Sequence, residues 1–402
     1  MKKKYLAWFF FSETINEPLS THSFLINKLS ENFEKIFLIN LKYLDLELNK
    51  KLNYPYKFEN QANDKFHLNN NIEIINLKSS EDFINFIADK KLNAIIINNF
   101  GTNPPSLKLL RYLKKFEITL FEINDISNID IKQKIEFKYF LKGFYFKLNK
   151  FFYNFFLIFF QNLRLIKKNE IKFCSNLKKI ESFRNKNFFN FLVNYKDIIK
   201  INSRAFDMLN SEKPNIKYDK IVLLDDHFGH PSSLAMRGKL SKEDIDAHYK
   251  YLNNLLNIIG KQFNKKIVIC IHPKDDLELK KKIFSKYEVL KFQTREKIIE
   301  SFLVLFFEST AIIDAILLNK NIITIYSEFM DNSVKYASDY YKNNIGIIQI
   351  KLESEMSINK TELEKKLTSS KVTFNRFISR YVAIDEKNLG YQKITKYLLK
   401  YF

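Results

Sequence analysis

The sequence predicts an α/β protein made of two doubly wound units, each a parallel sheet covered by helices. Three observations predict it. The chain has 402 residues, more than one hydrophobic core usually serves. Short apolar runs such as "KIVLLDD", "KKIVICI" and "SFLVLFFE" recur, as strands buried on both faces should read. Between them lie longer stretches with apolar residues at helical spacing, and such alternation builds parallel sheets.

In the first half, "KYLAWFFF" opens as a strand. The basic start "MKKK" before it is shaped like a leader, but the apolar run is short and no small-residue cleavage site follows. The stretch "LSTHSFLINKLSENF" reads as a helix capped by Ser20 or Thr21. Strands "KIFLINL" and "AIIINNF" follow, then a turn over Gly101 to Pro105, a helix "SLKLLRYLKKF" and a strand "ITLFEI". "KDIIKINSRAFDML" closes the half, and the pattern restarts after Pro214. There a long amphipathic helix capped by Ser241 separates two of the apolar strands, and "TAIIDAILLN" and "NIITIYS" complete a second unit. The expected division is residues 1–214 and 215–402: GT-B, two Rossmann-like domains facing across a cleft. The tail "EKNLGYQKITKYLLKYF" reads as a last helix crossing back to the first domain.

The formal net charge of +21 points towards an anionic partner or a solvated basic surface. No zinc-ligand spacing, basic heptad region or aromatic RNA-binding signature accompanies it, so nucleic acid is not the expected partner. Two cysteines, Cys174 and Cys270, cannot build a disulfide framework, which suits a reducing, cytoplasmic setting. No apolar run reaches the length needed to span a bilayer. The nearest, "FFYNFFLIFF", lies in the basic aromatic segment 132–179. Two readings of that segment stand: a helical part of the first core, or a surface that holds the protein on an anionic inner membrane.

Ligands of open α/β sheets lie beyond the carboxyl ends of the strands. Three clusters fall there. Asp225-Asp226-His227 ends one strand, His272-Pro273-Lys274 a second and Glu308-Ser309-Thr310 a third. Pro273 restricts its predecessor to extended geometry and so aims His272, an imidazole able to protonate a leaving group or hold a phosphate. Lys274 adds charge. Ser309 and Thr310 offer hydroxyls before a helix, either as simple caps or as donors to a phosphate. One of Asp225 and Asp226 should face the ligand, since neighbours on a strand point oppositely, and a carboxylate there suits a general base. His230, in "FGHPS", is a loop residue placed to touch substrate. Asp244-Ile245-Asp246 imitates a metal motif but lies just behind the Ser241 cap, where acidic residues suit a helix start; no metal is implied.

The order acidic pair, His-Pro, Ser-Thr resembles that of bacterial sialyltransferases with the GT-B fold. "IVLLDDHFGHPSS", "HYKYLNNLL" and "IVICIHPK" also look like bacterial surface-carbohydrate (capsule, lipooligosaccharide) biosynthesis proteins. The resemblance covers roughly residues 218–330. It implies that Asp225 is the general base with Asp226 beside it, that His272 serves the leaving group, and that Ser309 and Thr310 bind the phosphate of CMP. His227 stands where the family has Gly. The implied reaction is metal-independent transfer of a nonulosonic acid (sialic acid or a relative, or Kdo) from a CMP-sugar to a surface glycan or lipid-linked acceptor, with no cofactor beyond that donor. The alternatives are a GT-B transferase using a UDP- or GDP-sugar or a polyol-phosphate donor, or a non-catalytic binding component of polysaccharide assembly.

If segment 132–179 holds the protein to a membrane, the chain should float with liposomes containing anionic lipid and remain in solution with neutral ones. Equal recovery from both, or binding to neither, would rule out the electrostatic version.

Overall fold

The computed structural model describes residues 4–10, 15–41, 66–77, 79–90, 92, 94–97, 110–116, 118–125, 159–160, 171–177, 180–181, 196–226, 228, 241–330, 332–383 and 388–402. The chain divides into two compact units. The first takes in the described residues up to Asp207 together with 383–402, and the second runs from Met208 to Val382.

The first unit is a seven-stranded sheet in the order β3-β2-β1-β4-β5-β6-β7. Its strands are β1 (Tyr5–Phe10), β2 (Lys35–Asn40), β3 (Ile72–Asn76), β4 (Ala94–Ile97), β5 (Thr119–Asn124), β6 (Ile171–Cys174) and β7 (Asp197–Lys200), all paired in parallel. Alternation along β1 shows why the run is apolar throughout. Leu6, Trp8 and Phe10 pack on one face with helix α1 (Asn16–Ser30), and Ala7 and Phe9 on the other with Phe83 of α2 (Ser80–Lys90). Helix α1 begins earlier than the sequence suggested. Pro18 lies in its first turn, where its missing N–H has no helical partner to lose. Neither Ser20 nor Thr21 caps it: both lie inside the helix, and Ser20 donates to Glu17 O at 2.7 Å. Most of segment 132–179 lies outside the described residues, but its residues 171–174 form β6, an interior strand.

The second unit is a six-stranded parallel sheet, β10-β9-β8-β11-β12-β13. The strands are β8 (Lys220–Leu224), β9 (Lys266–Ile271), β10 (Glu288–Lys291), β11 (Ser301–Phe306), β12 (Asn321–Tyr326) and β13 (Ile348–Lys351). Helix α3 (Arg204–Glu212) leads from one unit into the other. Then come α4 (Lys242–Phe263), α5 (Leu277–Ile283), α6 (Thr294–Glu300), α7 (Ile312–Leu317), α8 (Asn332–Ile345), α9 (Lys360–Ser370) and α10 (Phe374–Tyr381). Leu252, Leu255, Leu256 and Ile259 of α4 are fully buried against the sheet residues Ile221, Leu223 and Ile269. Ser241 caps α4 through a reciprocal box, its hydroxyl accepting from Asp244 N at 3.0 Å while Asp244 Oδ2 accepts from Ser241 N at 3.2 Å. Asp244 thus has a helix-start role. Among the described residues no helix is long and apolar enough to cross a membrane.

The tail, α11 (Gly390–Leu398), packs in the first unit. Ile394 and Leu398 join the face that holds α1, and the Phe402 ring meets Phe33 at 5.2 Å. Its N-terminus is held from far away in sequence: the Asp207 carboxylate accepts from Gly390 N and Tyr391 N, both at 2.9 Å, and Asn202 Nδ2 donates to Asn388 O at 2.8 Å. Gly390 is required by this closeness, since a Cβ there would lie 2.9 Å from Asp207 Oδ2 and 3.1 Å from Asn202 O. Gly390→Ala should therefore lose about 1–3 kcal/mol, the usual cost of overpacking, read as a lower urea midpoint. An unchanged midpoint would mean the helix is not seated this tightly.

Candidate functional site

The strand order of the second unit, taken from β8 as the first strand, is 3-2-1-4-5-6, the doubly wound order whose direction reverses between β8 and β11. Ligands of this topology bind at the carboxyl edge beside that reversal. Register places the three sequence clusters there. Leu224 pairs with Cys270 on one side and with Phe306 on the other. Two residues beyond this level, the three adjacent strands deliver Asp226, His272 and Glu308.

The end of β9 is a built turn. Asp275 N donates to His272 O at 2.9 Å, closing four residues with Pro273 at the second position, where its fixed φ belongs. Within it Lys274 N donates to His272 Nδ1 at 3.1 Å. That bond makes Nδ1 an acceptor, so the neutral ring carries its proton on Nε2. His272, Pro273 and Lys274 are half-buried, which leaves part of the turn facing solvent.

The end of β8 is tied down by a residue the sequence did not single out. Lys280, on α5, is 3% exposed; its Nζ lies 2.5 Å from Asp225 Oδ2 and 2.5 Å from Tyr249 Oη on α4. The same Nζ lies 3.5 Å from Asp226 O and 3.6 Å from Asp275 Oδ2. One ammonium thus links the acidic pair, α4 and the turn that carries His272. The Asp225 side chain has no exposed surface, and its Oδ1 has no hydrogen-bond partner. Burial pushes the Asp225 carboxyl up to about 7; Lys280 opposes this, and Asp275 and Asp226 add to it. Burial works against the Lys280 ammonium, but the carboxylates around it prevail and hold its pKa above the ordinary lysine value. Asp226 is 7% exposed.

His248 of α4 is fully buried below this edge, its ring 4.1 Å from Phe228 and 5.6 Å from Phe307. Neither ring nitrogen has a hydrogen-bond partner, and burial lowers its pKa to about 3, so it packs as a neutral aromatic ring.

At the end of β11, Glu308 and Thr310 are exposed and Ser309 is half-buried. Ser309 Oγ accepts from Ala311 N at 3.3 Å, a local turn before α7. The hydroxyl proton is left to donate elsewhere, and α7 itself is a single short helix of six residues. His227 and His230 lie outside the described residues. Cys270, inside β9, is a buried thiol whose pKa burial pushes up to about 12, an unreactive core residue.

The arrangement offers anion-binding donors (an Nε2–H, an ammonium, two hydroxyls) and carboxylates at one sheet edge. No protein-family model matches the chain, and no curated protein sequence matches it. Solved structures do. A Listeria monocytogenes protein assigned as a UDP-N-acetylglucosamine 2-epimerase aligns over 100% of this chain and 96% of its own, with TM-score 0.54 and 10% identity. The wall teichoic acid polymerase TagF, soaked with CDPG, aligns over 99% of this chain and 88% of its own, with TM-score 0.52 and 12% identity. The UDP-GlcNAc 2-epimerase of Methanocaldococcus jannaschii, in complex with UDP-GlcNAc and UDP, aligns over 99% and 100%, with TM-score 0.50 and 13% identity. At such identities the likeness is one of fold: two Rossmann-like units in the GT-B class.

Lys280→Met should destabilise the chain by about 3–5 kcal/mol, because it strands a buried carboxylate. A carboxyl whose folded pKa is raised gives stability that is present below its unfolded value and lost as pH rises through the folded value. Without Lys280 the Asp225 pKa rises above about 7, so the deficit should be flat below about pH 6 and grow as the pH rises above about pH 7. Adding Asp225→Asn should remove that growth. A deficit independent of pH in chemical denaturation would show that the pair is not the cause.

Proposed function

We propose that the chain is a glycosyltransferase that uses a nucleotide-activated sugar. The observation that carries the reading is the placement of an acidic pair, a His-Pro turn and a Ser-Thr pair at three adjacent strand ends beside the sheet's reversal point. The motif order supports a CMP-activated nonulosonic acid as donor and a surface glycan as acceptor. In that reaction the acceptor hydroxyl attacks the anomeric carbon, its proton passes to Asp225, and the bond to the CMP phosphate breaks. Burial raises the Asp225 pKa towards neutrality and leaves Oδ1 without a partner, as suits a base, but its side chain has no exposed surface, so it serves only where the bound acceptor displaces its cover, and Asp226 beside it is the alternative base. His272 donates from Nε2 to the departing phosphate, and Ser309, Thr310 and Lys274 hold it, so side chains take up the leaving group's charge.

A second reading, a UDP-sugar donor at the same edge, is favoured by the fold likeness to proteins that take UDP-GlcNAc. Calorimetry with CMP, UMP, UDP and GDP separates the two. Binding of CMP, with release of CMP on addition of a CMP-nonulosonate and acceptor glycan, supports the first; preference for UDP supports the second.

The residues are tested by kind of effect. Asp225→Asn should lower turnover about 10²- to 10⁴-fold and leave nucleotide affinity nearly unchanged. Its melting curve is read alongside, since the substitution also removes the partner of Lys280. His272→Ala should lower turnover and weaken nucleotide binding. Ser309→Ala with Thr310→Val should weaken binding by roughly 1–3 kcal/mol. If Asp225→Asn turns over normally, Asp226 or His227 takes the role of base; if no cluster affects either readout, the phosphate-site reading fails.

A further inference from the structure

The Lys280 side chain is buried too deeply to touch a substrate, yet its partners lead to the candidate site from three directions. Asp225 N donates to Cys270 O at 3.0 Å, so backbone pairing joins the chains of β8 and β9 as far as Asp225. Beyond that level Lys280 makes the connection. An ammonium has three N–H bonds to share. Here they face Asp225 Oδ2 and Tyr249 Oη, each 2.5 Å from Nζ, and Asp226 O and Asp275 Oδ2, 3.5 and 3.6 Å away. Tyr249 Oη extends the tie by donating to Phe228 O at 2.9 Å. The chain after β8 is thus held on both sides of position 227. On the other strand, Asp275 N closes the His-Pro turn on His272 O, and Lys291 Nζ donates to Asp275 O at 2.9 Å.

The titratable groups around this ammonium are Asp225 and Asp226 at the end of β8, Asp275 in the turn, and Tyr249 and His248 on α4. Burial keeps Tyr249 and His248 neutral, which leaves Lys280 to offset the carboxylates. A buried lysine that only supports the fold looks different. Lys320 donates to three backbone carbonyls, of Lys217, Ile299 and Ser301, around the amino end of β11. Lys280 instead binds the side chains that follow β8 and β9. A catalytic pair must be held in a productive geometry by groups outside it. We propose that Lys280 is the positioning residue of the candidate site: its ammonium fixes the acidic pair and holds it in register with the His-Pro turn. The inference rests on the glycosyl-transfer reading and applies whether Asp225 or Asp226 takes the proton.

The test uses the full chain and the nucleotide-sugar selected by the calorimetric panel, below the melting temperature of each variant. It reads kcat per folded protein and nucleotide Kd. Lys280→Met should lower kcat about 10- to 100-fold, the effect of a small misplacement of reacting groups. Nucleotide Kd should stay unchanged, because the His-Pro turn keeps its own backbone bond and Lys291. Lys320→Met, the control, should lower the melting temperature and leave kcat as it was. If Lys280→Met does not fold, Tyr249→Phe takes its place; it withdraws one partner of the ammonium and the tie to Phe228, and should lower kcat with Kd unchanged. A kcat within about threefold of wild type, equal losses of kcat and affinity, or the same kcat loss in Lys320→Met would overturn the proposal. Absence of turnover by the wild type with every donor overturns the transfer reading and this inference together. Wild-type turnover with an unaffected Lys280→Met overturns this inference alone.

Discussion

The structure depends on one constraint: a parallel sheet covered on both faces must be apolar on both faces, because its helices leave no wet side. In β8 the residues Ile221 to Leu224 are all buried, and the first polar residue the strand can carry is Asp225. In β9 the first is His272 and in β11 Glu308. The sheet thus confines its chemistry to its edge, and the strand order decides which edges meet. β8 lies between β9 and β11 although the chain visits β9 and β10 before β11, so the strand ends that carry these residues are adjacent.

The same constraint explains part of the chain's basic character. Several lysines are interior parts. Lys320 is fully buried, and its Nζ donates to the carbonyls of Lys217, Ile299 and Ser301 at 2.6–2.7 Å, with its pKa lowered to about 8 by burial. Lys172, on interior strand β6, pairs with Glu122 at 2.7 Å. Lys280 holds the end of β8. A long aliphatic stem with one ammonium can pass through a core and satisfy several oxygens at its end. The formal +21 therefore overstates the basic surface.

What was legible in the sequence follows from burial. The central strands β1, β8, β9 and β11 read clearly because the sheet buries both faces of each. The strands that escaped notice include β3 and β10, which lie at sheet edges; there a half-exposed run such as "EVLK" carries charges and loses its signature. β6 escaped for another reason: the basic aromatic segment 132–179 around it reads as a helical part of the core or as a membrane surface, whereas Lys172 stands on a strand with its ammonium neutralised across the sheet by Glu122. The strand-end clusters were legible because polar residues straight after an apolar run are conspicuous. Lys280 was not. It is one of three consecutive lysines, and only the way α5 packs turns that one inward while Lys281 pairs with Glu278 in solvent. The tether of α11 was equally hidden, since Asp207 and Gly390 are 183 residues apart.

Both units leave a carboxylate oxygen without a partner just beyond a strand: Asp125 after β5, and Asp225 after β8. The surroundings differ in an instructive way. Asp225 has one oxygen fixed by an ammonium and the other uncommitted, in an interior that raises its proton affinity, which is the condition of a group prepared to take a proton. Asp125 has both oxygens uncommitted beside a guanidinium nitrogen that also lacks a partner, in a pocket with room for about one water. Folding alone would favour satisfying or replacing such atoms. Local conflicts of this kind tend to sit where a protein trades stability for chemistry, and here both lie at the sheet edge where the doubly wound topology receives its ligands.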